Sequence, residues 1–142
     1  MVGDRTISYG FDAASNRTER VDSVGGTTTY TYDANDRLVS EITDGVVTTY
    51  TYDDNGNTLT RSIDGVLQTE YQYDSSDQLI SVDVDGDGNN DVEYVYDAFG
   101  NLVGRTTEGE RNNFLVDVNL PFAQVIEAVS YTHLTLPTIL LV

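Results

Sequence analysis

The densest chemistry in this 142-residue chain lies in nine residues, Asp83-Val-Asp85-Gly-Asp87-Gly-Asn-Asn-Asp91. Carboxylates stand at relative positions 1, 3, 5 and 9, with Gly88 at position 6. That is the front of a calcium-coordinating loop, where hard oxygen ligands converge on Ca²⁺ around a sharp glycine turn. Position 12, where such a loop places a bidentate Glu, is Tyr94. The expected site, Asp83, Asp85, Asp87 and Asp91, is therefore short of a ligand, and no tighter than the ~10⁻⁴–10⁻³ M of extracellular modules. The competing reading is a wide acidic hairpin turn, with Gly for turning and Asp for solvation. Four carboxylates this close repel one another without a cation, which is the argument for the ion.

Other chemistry is scarce. The chain has no Cys, its single His is His133, and all seven basic residues are Arg. Outside the last fourteen residues, Ser-His, Cys-His and Lys-nucleophile arrangements are therefore excluded. Val24-Gly-Gly26 and Asp85-Gly-Asp-Gly88 read as hairpin glycines, not phosphate loops. The chain is expected not to be an enzyme. A formal charge of −17 argues against nucleic acid and anionic membrane surfaces as partners. The longest apolar run, Ile139 to Val142, falls far short of the ~20 residues of a membrane span. No apolar run of a secretory signal follows Met1.

The elements that must position the acidic loop are set by a repeat. Tyr-x-Tyr-Asp recurs at 30–33, 50–53, 71–74 and 94–97, preceded by the variant Tyr9-Gly-Phe11-Asp12. Successive starts are 21, 20, 21 and 23 residues apart. Within a period the pattern alternates: Tyr30 and Tyr32 share one face and Thr29 and Thr31 the other. Leu38, Ser40 and Ile42 form the next alternating set. Asp44-Gly45 and Asp64-Gly65 read as two-residue hairpin turns. The third residue after each motif Asp (Ser15, Asp36, Gly56, Asp77, Gly100) is expected at positive φ, with Ser15 the poorest fit. About twelve short strands and no helix follow, an all-β fold of consecutive antiparallel hairpins. One hairpin cannot bury its Tyr face, so neighbours must stack into a continuous sheet with tyrosine ladders.

Residues 129–142 (VSYTHLTLPTILLV) break with this composition: no charge, no Asp and no Gly. Back-translated, Val129 to Thr138 resembles a common transposon-based sequencing adapter. The expected organisation is a repeat segment over 1–128 and a translated, non-native adapter tail over 129–142.

The motifs Tyr30-Thr-Tyr-Asp33, Tyr50-Thr-Tyr-Asp53, Tyr71-Gln-Tyr-Asp74 and Tyr94-Val-Tyr-Asp97, with the follow-on Gly100-Asn-Leu102, resemble the YD-repeat or Rhs family over residues 5–127. Phe114-Leu-Val-Asp117 through Ala123-Gln-Val-Ile-Glu127 is similar to the close of bacterial Rhs repeat regions. The resemblance implies an arc of a β-sheet that spirals into a hollow shell, secreted or at the cell surface. In bacteria such shells enclose a C-terminal toxin; in animals related repeats belong to teneurin adhesion proteins. The implied partners are the remaining repeats and a C-terminal toxin or effector domain of the same polypeptide. The family's self-cleaving aspartyl protease site would lie downstream, and none of its residues is assigned here. The alternative is a cell-surface adhesion or carbohydrate-binding module, in which tyrosine rows stack on surface glycans or engage receptors.

Overall fold

The computed structural model describes residues 4–117 and 124–131. Twelve strands follow one another: β1 (Ile7–Phe11), β2 (Arg17–Asp22), β3 (Gly26–Tyr32), β4 (Leu38–Thr43), β5 (Val46–Tyr52), β6 (Thr58–Ile63), β7 (Val66–Tyr73), β8 (Leu79–Asp83), β9 (Val92–Tyr96), β10 (Leu102–Thr107), β11 (Glu110–Asp117) and β12 (Gln124–Tyr131). They form one sheet whose strand order is the chain order, with every neighbouring pair antiparallel. Among the described residues there is no helix. The all-β expectation therefore holds. β12 runs past residue 128, pairing Val129 with Asn113 and Tyr131 with Arg111. Residues 132–142 lie outside the described residues.

Cross-strand pairs place the tyrosines on one face. Tyr30 stands opposite Glu41, Glu41 opposite Thr48, Tyr50 opposite Arg61, and Arg61 opposite Thr69. Tyr71 stands opposite Val82, and Val82 opposite Val92. Two-residue alternation from these positions brings Tyr30, Tyr32, Tyr50, Tyr52, Tyr71, Tyr73, Tyr94 and Tyr96 to the same side. The sheet is a single layer, so burial is shallow. The only apolar side chains buried among the described residues are Tyr30 and Val82, each still 9% exposed.

One expectation about the faces needs correction. Leu38 pairs with Tyr32, whereas Ser40 and Ile42 pair with Thr31 and Thr29. Leu38 is therefore on the tyrosine face, and Ser40 and Ile42 are on the other. The cause is a β-bulge that leaves Val39 as an extra residue. The same skip recurs at Thr18, Leu59, Ile80 and Val103, always six residues after the motif Asp. Each hairpin thus bends at the same point, and its face assignment flips there.

The tight turns differ in tolerance. Gly45 has φ +87° and open space where a Cβ would stand. Gly86 has φ +73°, and a Cβ there would lie 2.6 Å from the Leu67 carbonyl oxygen. Gly45→Ala is expected to cost about 1–2 kcal/mol, the left-handed penalty alone. Gly86→Ala must also push the 84–91 turn off β7. Its urea midpoint should fall clearly below that of Gly45→Ala; equal midpoints would show that the turn moves freely.

Candidate functional site

The motif Asp has one local task, performed five times. Its Oδ1 accepts the backbone N–H two and four residues ahead. For Asp12 the donors are Ala14 (2.9 Å) and Asn16 (2.8 Å); for Asp33, Asn35 (2.8 Å) and Arg37 (2.9 Å). For Asp53 they are Asn55 (3.0 Å) and Asn57 (2.8 Å); for Asp74, Ser76 (2.8 Å) and Gln78 (3.0 Å). For Asp97 they are Phe99 (2.8 Å) and Asn101 (2.9 Å). A short carboxylate reaches its own turn amides, which a longer Glu side chain overshoots. These donors favour the charged form. The Arg37 amide and guanidinium hold Asp33 below the usual carboxylate range, and Asn57 and Asn101 do the same for Asp53 and Asp97. All five expected positive-φ positions are positive: Ser15 73°, Asp36 60°, Gly56 95°, Asp77 60° and Gly100 83°.

The tyrosines are anchored to neighbouring strands. The Tyr32, Tyr52 and Tyr96 hydroxyls donate to the carbonyls of Arg17 (2.9 Å), Leu38 (2.8 Å) and Leu79 (3.0 Å). Tyr50 donates to Glu41 Oε1 at 3.1 Å. The Arg17 guanidinium lies 4.5 Å from the Tyr30 ring centre and 5.7 Å from that of Tyr9, and Arg37 lies 5.0 Å from that of Tyr52. Burial raises the pKa of Tyr50, Tyr52, Tyr73 and Tyr96. Tyr32, Tyr50, Tyr52 and Tyr96 are therefore tied to their own sheet through their hydroxyls, and Tyr9, Tyr30 and Tyr52 through cation–π contacts.

On the opposite row of turns, two strands end in a buried Asp that sequence reading did not single out for this role. Asp22 closes β2 with its side chain fully buried, gripped by Arg5 and Arg20, the latter at 2.6 Å. It also accepts from the Val24 amide at 3.1 Å. The Arg5 hydrogen bonds, and then that amide, hold its carboxyl far below the ordinary range. Asp83 closes β8 in the same way and is 4% exposed. Its Oδ1 accepts from Asp85 (3.2 Å) and Gly86 (2.6 Å), its Oδ2 from Gly88 (2.7 Å). Burial pushes its pKa up, but these amides outweigh burial and hold it below the ordinary value.

The four expected calcium ligands do not all converge. Asp83, Asp85 and Asp91 each bring a carboxylate oxygen within 4.8 Å of the others. Asp87 is not part of that group; it accepts from its neighbour Asn89, backbone N–H at 2.8 Å and side-chain Nδ2 at 3.0 Å. Asp91 Oδ2 accepts from the Val84 amide at 2.7 Å. Beside the loop is an open cleft of about 290 Å³ lined by Val84, Asp85, Asp91, Val92, Thr107 and Glu108. Amide hydrogen bonds to Asp83 and Asp91 thus provide compensation for crowded carboxylates that the sequence argument assigned to a cation alone. Calorimetric titration with millimolar CaCl₂ separates the two readings. Heat abolished by Asp85→Ala plus Asp91→Ala is the signature of an ion site; no heat leaves a turn closed by its own amides.

Consecutive hairpins in one layer, with five turns along one edge closed by the same Asp hydrogen-bond pattern, define a repeat wall. The Teneurin YD-shell family matches residues 3–116, and the chain belongs to that family. No curated protein matches the chain significantly. Among solved structures, the fold is similar to a chain in the crystal structure of TcdB2-TccC3-Cdc42, at TM-score 0.63 and 20% identity. That likeness covers 82% of this chain and 7% of the other, so the present chain spans a small part of its length.

Proposed function

We propose that the chain is a structural wall segment of a secreted β-shell that encloses a C-terminal toxin or effector domain of the same polypeptide. The observation that carries this is the strand order: twelve strands add in sequence to one sheet without a crossover. Such a sheet lengthens by whole hairpins, as a wall must. Family membership supports the shell, and the similar fold of a chain in the TcdB2-TccC3-Cdc42 structure agrees with it. The role is architectural: the recurring carboxylates hold turns and the tyrosines hold neighbours. The remaining repeats are its immediate partners.

The test uses the polypeptide that carries these repeats with its downstream domain. Limited proteolysis is expected to spare that domain while the wall is intact, and to cleave it once Asp53→Ala and Asp74→Ala open two turns. Equal cleavage with and without an intact wall would overturn enclosure. Binding of the same repeats to immobilised glycans, lost with Tyr9→Ala, would instead support an adhesion module.

A further inference from the structure

The five motif turns stand side by side along one edge of the sheet, and they are of two kinds in alternation. The first, third and fifth carry Asn at the fourth place after the motif Asp: Asn16, Asn57 and Asn101. The second and fourth carry Asp at the third place, Asp36 and Asp77, followed by a long donor, Arg37 or Gln78. The contacts between turns follow this alternation. Asn16 Nδ2 donates to Asp36 Oδ1 at 2.7 Å, and Asn55 and Asn57 both donate through Nδ2 to Asp77 Oδ1 at 2.8 Å. At the other joints, Arg37 Nη1 donates to the Asp53 carbonyl at 3.0 Å and Gln78 Nε2 to the Gly100 carbonyl at 3.3 Å.

Backbone conformation does not explain the acids. φ is +60° at both Asp36 and Asp77, where glycine is the unstrained residue and is used at 56 and 100. What distinguishes the acid positions is the amide arriving from the preceding turn. Glycine has its own reason at 100: a Cβ there would stand 3.0 Å from Gln78 Nε2, in the path of the long donor.

We propose that Asp36 and Asp77 are positioning residues of an interaction surface between repeats, in which an Asn-bearing turn fits beside a turn that carries an acid. The unit of the wall is then a pair of hairpins. Asp36 and Asp77 are 41 residues apart, as are Asn16 and Asn57. The partner that fits an Asn turn on its following side is recognised by a carboxylate three residues after its motif Asp.

Asp77→Gly in the full chain tests this, because strain and pairing predict opposite signs. Relief of positive φ alone would slow amide exchange in the fourth turn and leave the third untouched. Loss of a charged acceptor for two amides is expected to speed exchange at Asn55 and Asn57, in the unaltered third turn, by about tenfold or more. Asp77→Asn, which keeps an oxygen acceptor and tolerates the same φ, should retain most of that protection. Gly56→Asp, which sets two acid turns together, should speed exchange in both. If Asp77→Gly does not fold, Asp36→Gly read at Asn16 asks the same of the first joint. Unchanged or slower exchange at the unaltered turn in the glycine variants would overturn the pairing rule.

Discussion

Asp22→Ala is expected to release β1 from the sheet. The carboxylate is fully buried at the end of β2 and is shared by Arg5, Arg20 and the Val24 amide. Removing it leaves the half-buried Arg20 without a counter-ion, and the turn amide without an acceptor. The loss at Arg20 is the costly one, because its guanidinium is not returned to free water, whereas the amide of the exposed Val24 can turn to solvent. Arg5 precedes β1, so the ion triad also ties that edge strand to β2, where Ile7 pairs with Asp22. Amide exchange over Ile7–Phe11 should accelerate by about tenfold or more, while β5, β6 and β7 keep their protection. Asp22→Asn, which retains a turn acceptor without the charge, should fall between. Unchanged exchange in β1 would show that backbone pairing alone holds it.

Acid is expected to open the wall, and only once the pH falls into and below the ordinary carboxylate range. Asp22, Asp33, Asp53, Asp83 and Asp97 all have pKa values depressed in the folded chain. A depressed folded pKa contributes stability that is complete above the unfolded value, about 3.9 for Asp, and is lost as pH falls through the folded value. The urea midpoint should therefore hold between pH 8 and 5, as far as these groups decide it, and drop steeply below about pH 4. An opposing effect has the other sign: protonating the remaining acids relieves the repulsion of a chain with formal charge −17. Turn closure is short-range and repeated at every hairpin, whereas the repulsion is spread and screened by salt. A midpoint that rises below pH 4 would show that repulsion is the larger of the two.

How far the sequence disclosed this structure depends on the range of the interaction concerned. Ser15, Asp36, Gly56, Asp77 and Gly100 were legible because a turn is decided within five residues of chain. So were the Tyr-x-Tyr face and the Asp44-Gly45 and Asp64-Gly65 turns, whose four residues all have positive φ. The bulges at Thr18, Val39, Leu59, Ile80 and Val103 were not. Each residue looks like a member of an alternating strand, and its surplus exists only against the partner strand. Their constant offset from the motif Asp was the available signal. Asp22 was hidden among 24 acidic residues, since nothing local marks it as the one that Arg5 reaches across seventeen positions. In the acidic loop, Asp83, Asp85 and Asp91 come together as the spacing suggests, whereas Asp87 accepts from its neighbour Asn89, a local pairing that ligand spacing does not register.

The agreement of strand order with chain order has a consequence for how such a wall is made. Each strand needs only the one before it, so no pairing waits for a distant part of the chain. Loop-closure entropy is then a small recurring cost at each turn, not a large one met at the end. A chain delivered end first, from a ribosome or through a narrow export pore, can crystallise onto its own growing edge at the pace of delivery. The edge exposed at any moment is the template for the residues about to emerge, so its hazard as an unpaired strand lasts only as long as one hairpin takes to arrive.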